Sequence, residues 1–223
     1  MTSISYSQLE QDLWVLNTLN SKKNGYFVEI GAHNGVDLSN TYMFEKYYNW
    51  NGMCIEANPH TYNDLIKNRK CVCVNALLDS GNYTKSLNCI GEMSFISNEN
   101  NSSFVKKLED NLVSNNIKYD VIKQNTCSLE SVFNSYDVPD IIDYMSIDIE
   151  GMEYDVLKVF PFSKYHINTL TVEHNAPHYG VHYREKLRDL LENNNFTFVK
   201  GNDDIHNWGH DSIDDFYVNI EIK

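Results

Sequence analysis

Four short runs hold residues that could do chemistry, and each follows an apolar stretch. The first is Glu29-Ile30-Gly31-Ala32-His33-Asn34-Gly35. Two glycines behind a buried strand let backbone pass close to a ligand, although a plain turn uses them as readily. Their Gly-x-x-x-Gly spacing lacks the three-glycine dinucleotide fingerprint, and no Gly-Lys-Ser/Thr follows to make a phosphate loop. Glu29 is a charge inside an apolar run, and a buried carboxylate needs partners. In the second run, Ile55-Glu56-Ala57-Asn58-Pro59, the acid stands where it can accept hydrogen bonds from two ribose hydroxyls. Together with a glycine loop one strand earlier, it describes a nucleoside site.

The third run, Asp143 to Glu153, sets Asp143, Asp148, Glu150 and Glu153 among apolar residues; a solvated sheet edge is the plain alternative. The fourth is Val172-Glu173-His174-Asn175, otherwise a capped turn. If these strands pair, Asp148, Glu173 and His174 meet at neighbouring tips. Carboxylates and an imidazole suit a divalent cation such as Mg²⁺, and His174 could act instead as a general base. His174, His178 and His182 are spaced by four, but Pro177 and Gly180 interrupt any helix, which disfavours a zinc site. His206, His210 and Trp208 lie in the acidic loop 201–215, as an acceptor pocket or as a solvated loop.

The elements that must position these runs alternate. Ser7 and Glu10 read as a capping box ahead of a helix with Leu9, Leu13, Trp14 and Leu16, ending near Asn20. Strands follow at 26–30, 52–55 and 71–74, with a helix over 39–48 and another opening at Asn58-Pro59. Residues 80–127 are irregular: a hairpin at Gly81-Asn82 and Gly91, a polar loop at 98–103, and a short helix at 105–113. They read as an insertion or lid. Strands resume at 141–147, 170–172, 196–199 and 216–220, with helices at 154–159 and 183–193. Such alternation argues for a parallel α/β sheet, in which ligands bind beyond the carboxyl ends of the strands.

The 223 residues make one domain, large enough to bury a core without staples. With 18 basic against 31 acidic side chains, the net charge of −13 argues against nucleic acid and anionic membrane surfaces as partners. Five cysteines, Cys54, Cys71, Cys73, Cys89 and Cys127, without a CxxC pair, read as reduced thiols in the cytoplasm. The amino terminus shows no signal-peptide run, and no segment reaches the roughly 18 apolar residues of a membrane span. Sequons at Asn82, Asn100, Asn101 and Asn195 read as chance in an Asn-rich chain.

On the stretches FVEIGAHNGVDLSNTYMFEK, GMCIEANPHTYNDLIKNRKC, DYMSIDIEGMEYDVLKVFPF and TVEHN, in that order, the chain resembles the FkbM family of S-adenosylmethionine-dependent methyltransferases. The resemblance implies a Rossmann-like seven-stranded α/β sheet, mostly parallel with a reversed last strand and helices on both faces. It implies that Glu29, Gly31, Ala32 and Gly35 form the cofactor loop and that Ser39, Asn40 and Thr41 lie near the methionine moiety. By the same resemblance Glu56 and Ala57 serve the ribose, Asn75 and Ala76 the adenine, and Asp148 and Glu150 the transferred methyl. Many relatives carry Lys two residues before that Asp; here it is Ser146, which excludes a catalytic lysine at that place. The implied activity is O-methylation of a hydroxyl, on a sugar or glycan first, with Asp148, His174 and Glu150 catalytic and Asp148, Glu173 and His174 around any metal. The alternatives are a lipid, natural-product or protein acceptor, or a non-catalytic adaptor. A monomer or weak homodimer is expected.

Overall fold

The computed structural model describes residues 4–96, 102–201 and 213–223. The polar loop at 98–101 with its sequons Asn100 and Asn101, and His206, Trp208 and His210, lie outside the described residues. The chain begins with α1 (Gln11–Thr18), β1 (Tyr26–Ile30), α2 (Tyr42–Tyr48), β2 (Asn51–Glu56), α3 (Pro59–Asn68) and β3 (Val72–Asn75). Next come β4 (Leu77–Leu78), β5 (Thr84–Cys89), α4 (Ser102–Ser114), β6 (Asp120–Cys127) and α5 (Leu129–Ser135). The last part holds β7 (Ile141–Ile147), α6 (Glu153–Leu157), β8 (His166–Glu173), α7 (Ala176–Tyr179), α8 (Val181–Glu192), β9 (Phe196–Lys200) and β10 (Asp214–Asn219).

Seven strands form one sheet in the order β3-β2-β1-β7-β8-β10-β9. The five strands from β3 to β8 run parallel, and β10 is antiparallel to both β8 and β9. Residues alternate between the faces of each strand, so both sides must be covered. Phe27, Cys54 and Tyr144 face Val15 and Leu16 of α1, Met43 and Phe44 of α2 and Leu65 of α3. Val28, Ile55 and Met145 face Phe133 of α5, Val156 of α6 and Leu187 of α8. The mostly parallel seven-stranded sheet, its reversed last strand and its two helical layers are as the resemblance implied.

Two local expectations change. The capping box gives way to Asp12, which is fully buried and accepts from Ser5 Oγ, Tyr6 N and Ser7 Oγ at 2.7–2.8 Å. A buried carboxylate with three donors outweighs one cap, and α1 starts after Glu10 in a left-handed conformation without a side-chain cap. Residues 80–127 are more regular than their pattern suggests. β5 pairs antiparallel with β6 over six positions, and β6 pairs parallel with β4, giving a side sheet that carries α4.

A candidate active site at the switch point of the sheet

β1 and β7 are neighbours, and the chain leaves them for opposite halves of the sheet. Such a switch point opens a crevice beyond the strand ends. Here it is a cleft of about 1080 Å³ continuous with solvent. The close approach of the two strand ends is set by Gly31 (φ +85°), whose Cβ, were there one, would overlap the Asp148 carbonyl oxygen. Asp148 N donates to Ile30 O at 3.0 Å across the same junction.

Glu29 lines the cleft, but its carboxylate works inward. It accepts from Ser39 Oγ (3.0 Å), Asn40 N (2.6 Å), Thr41 Oγ1 (2.7 Å) and Arg69 Nη1 (3.2 Å). Arg69 is buried too, donating to Gly35 O, Ser39 Oγ, Thr41 Oγ1 and Glu45. A lone buried charge is costly, whereas this knot satisfies both ions and fixes residues 39–41. Asn40, 9 % exposed, lines the cleft; its Nδ2 donates to Ser146 Oγ at 2.7 Å and its Oδ1 has no donor.

Glu56 ends β2 with one oxygen accepting from Asn58 N and the other from His33 N, both at 2.7 Å. Burial, only partly offset by these bonds, pushes its carboxyl up to about 7. Beyond it, Ala57, Ala76, Leu77, Leu87, Phe95 and Ile96 make an apolar wall. The last three come from β5 and the turn after it.

On the other side of the switch point, Asp148, Glu150 and Glu173 each bring one oxygen within 4.8 Å of the others. Asp148 is exposed along the cleft; burial among protein atoms and then the Glu150 charge push its carboxyl up to about 7. Because it opens to the cleft, the desolvation part acts in full only when a ligand covers it. Glu173 is buried, and burial with the Asp148 charge holds its carboxyl well above the ordinary range. Glu150, at φ +56°, accepts from Tyr179 OH at 2.8 Å. Glu153 accepts from Ile149 N, Gly151 N and Tyr183 OH, and so shapes the turn that presents Asp148 and Glu150. Asp214 of β10 pairs in register with Glu173 and receives Gln11 Nε2 at 2.8 Å. Burial and the Asp148 charge raise its carboxyl to about 7.

Of the residues expected at the cofactor, Glu29, Gly31, Ala32, Ser39, Asn40, Glu56, Ala57, Ala76 and Asp148 line the cleft. Gly35, Thr41 and Asn75 do not. Gly35 packs against Leu65 and Arg69, Thr41 is fully buried in the Glu29 knot, and Asn75 turns its amide back to Glu56 O and Ala57 O. His174 requires the main correction. Its Nδ1 accepts the Ala176 N–H, so the ring proton sits on Nε2, which faces Asp215 Oδ1 at 3.5 Å. It is 1 % exposed and is not among the described residues that line the cleft, so neither the base nor the metal role fits it. Glu150 takes its place beside Asp148 and Glu173. Gln8, Gln11, Asp37 and Asp214 line the cleft without having been expected there.

The chemistry of the cleft suits S-adenosylmethionine. Gly31 lets the ends of β1 and β7 meet under the cleft, and Glu56 stands ready for ribose. The apolar wall can take an adenine, and Asn40 Oδ1 and the acids await a positively charged group.

Residues 29–198, more than half of the chain, match the model of the Methyltransferase FkbM domain. Among solved structures, a putative RNA methyltransferase from Pyrococcus horikoshii is similar at 11% identity and TM-score 0.47, over 96% of this chain and 83% of that one. The precorrin-6y C5,15-methyltransferase of Geobacter metallireducens is similar at 12% identity and TM-score 0.48, over 97% and 93%. TrmK of M. capricolum, solved with S-adenosyl-homocysteine, is similar at 13% identity and TM-score 0.39, over 94% and 68%. No curated protein sequence matches the chain. The chain belongs to the FkbM family of methyltransferases.

Proposed function

We propose that the chain transfers a methyl group from S-adenosylmethionine to a hydroxyl oxygen of a small molecule or glycan, a sugar hydroxyl first, with Asp148 as the base. The observation that carries this reading is the carboxyl cluster at the end of β7. There Asp148, exposed to the cleft, brings an oxygen within 4.8 Å of Glu150 and Glu173, and burial and the Glu150 charge raise its carboxyl to about 7. An alcohol is a weak nucleophile at neutral pH, and a base helps most when its pKa lies near the working pH. S-adenosylmethionine, when bound, supplies an electrophilic methyl on a positive sulfur. Glu56 orients the ribose. The backbone of 39–41, held by Glu29, and Asn40 hold the methionine end. Asp148 takes the hydroxyl proton as the oxygen–methyl bond forms and the sulfur–methyl bond breaks. Glu150 adds negative charge beside that proton, and Glu173 stands against Asp148. Intact acids at the ends of β1, β2, β7 and β8 weigh against an adaptor without activity.

The test is transfer of labelled methyl from S-adenosylmethionine to a panel of hydroxyl compounds, comparing the protein with Asp148→Asn. Label on oxygen in the first and its loss in the second is the expected result. Label on nitrogen or carbon overturns the reading.

A second reading is favoured by the geometry of Asp148, Glu150 and Glu173, whose buried Oε2 lacks a donor. A divalent cation such as Mg²⁺ would sit among them and polarise the hydroxyl. Full activity in excess chelator rejects it; loss that Mg²⁺ restores supports it. We also take the protein to be cytoplasmic, a monomer or weak homodimer, without a nucleic-acid or membrane partner. Support comes from five unpaired thiols, the charge of −13, and the observation that no described helix is long and apolar enough to cross a membrane.

A further inference from the structure

We propose that Gln8 holds the carboxylate of the cofactor, carried to the cleft by a strap of residues 5–9 that Asp12 clasps. The inference rests on the reading that the cleft takes S-adenosylmethionine with its methionine end toward residues 39–41.

The path of the strap is fixed at three places. Ser5 Oγ and Ser7 Oγ donate to one oxygen of Asp12, and Tyr6 N donates to the other, at 2.7–2.8 Å. Asp12 is fully buried, so these donors are what its carboxylate requires, and they hold the segment against the start of α1. Tyr6 stands edge-on to Tyr42 of α2, with ring centroids 4.9 Å apart, and its hydroxyl meets that of Tyr47 at 3.0 Å. Ser7 pairs with Leu38 in a parallel bridge. Gln8 comes next in the chain and lines the cleft together with Asp37, Leu38, Ser39 and Asn40.

The hydrogen-bond donors at that end single Gln8 out. The amino-acid end of the cofactor carries an ammonium, which needs acceptors, and a carboxylate, which needs donors. Asp37 and Asn40 suit the ammonium. No lysine or arginine is among the described residues that line the cleft, so the carboxylate must find a neutral donor. Ser39 Oγ already donates to Glu29, Asn40 Nδ2 to Ser146 Oγ and Gln11 Nε2 to Asp214. Gln8 is exposed, and its amide has no hydrogen-bond partner among the described residues.

Calorimetry with two ligands tests the proposal. S-adenosyl-homocysteine carries the amino-acid end, and 5′-methylthioadenosine lacks it. Gln8→Ala is expected to weaken S-adenosyl-homocysteine about tenfold and to leave 5′-methylthioadenosine unchanged. Gln8→Glu has nearly the same shape but sets a negative charge against the carboxylate, and should weaken S-adenosyl-homocysteine further. Unchanged affinity for S-adenosyl-homocysteine in Gln8→Ala overturns the proposal. So does a gain in Gln8→Glu, which would put the ammonium there, and so does an equal loss of both ligands in Gln8→Ala. A parent protein that binds both ligands alike overturns the proposal and leaves the cofactor reading standing. A parent that binds neither rejects the cofactor reading, and the proposal with it.

Discussion

Gly31 lies so close under the carbonyl oxygen of Asp148 that no side chain fits between them. The contact joins the ends of β1 and β7, and it sets the floor on which cofactor and acceptor would meet. Gly31→Ala therefore meets two penalties, overlap with backbone and a φ of +85° that an L side chain resists. We expect a loss of roughly 3 kcal/mol in stability and no measurable affinity for S-adenosyl-homocysteine, read by chemical denaturation and calorimetry.

Asp148 must be ionised to take a proton. With its carboxyl at about 7, the rate at saturating substrate should rise with pH up to about 7 and level off above it. Asp148→Asn should lower kcat by about 10²–10⁴-fold and remove that limb of the profile. A profile in Asp148→Asn that keeps the same limb would assign the titration to another group.

Arg69, with no exposed side-chain surface, holds the buried Glu29 and the partly exposed Glu45. Arg69→Met leaves the Glu29 charge buried without its cation, and should cost about 3–5 kcal/mol. Residues 39–41 would loosen with it, so cofactor affinity should fall even where the variant stays folded. Thermal unfolding with and without S-adenosyl-homocysteine separates the two effects.

Asp215 gives the acid limit of stability. Burial alone would raise its carboxyl, but two hydrogen bonds from Arg188 and the neighbouring His174 prevail and hold it at about 2. Its folded value lies below the unfolded one of about 3.9, so its contribution is present above that pH. It is lost as pH falls from about 4 to about 2. Asp215→Asn should cost about 2–4 kcal/mol at neutral pH, and the gap to the parent should close over that window in urea titrations at stepped pH.

Much of this architecture was legible in the sequence where the signal is local. β1, β2, β3 and β7 show as apolar runs with polar residues at their ends, and Asn58-Pro59 opens α3 as expected, with Asn58 accepting from His60 N. Pairing was harder. β5 and β6 are partners across the whole of α4, and β6 alternates polar residues with few apolar ones, so nothing local announces it. The acids Glu56, Asp148 and Glu173 could be placed at strand tips from their runs alone. What each carboxylate faces could not, because that depends on neighbours far along the chain. Glu29 reads from its run as a buried carboxylate in need of a partner, and that partner, Arg69, stands forty residues on. His174 is adjacent in sequence to Glu173, yet strand alternation turns it to the other face, toward Asp215. Gln11 carried no signal, since a glutamine on an amphipathic helix is ordinarily a solvated residue.

The bond from Gln11 to Asp214 spans 203 positions of the chain. Contacts that distant close late, because nearly everything between them must first be placed. The half of the cleft built by β1, β2 and β3 needs only the first part of the polypeptide and the return through β7. The β1–β3 side of the cleft is thus built from chain synthesised early, and the side lined by Asp214 is completed only by the last strand. The cleft is complete only when α1 and β10 are both in place, and loosening either would open the side where they meet.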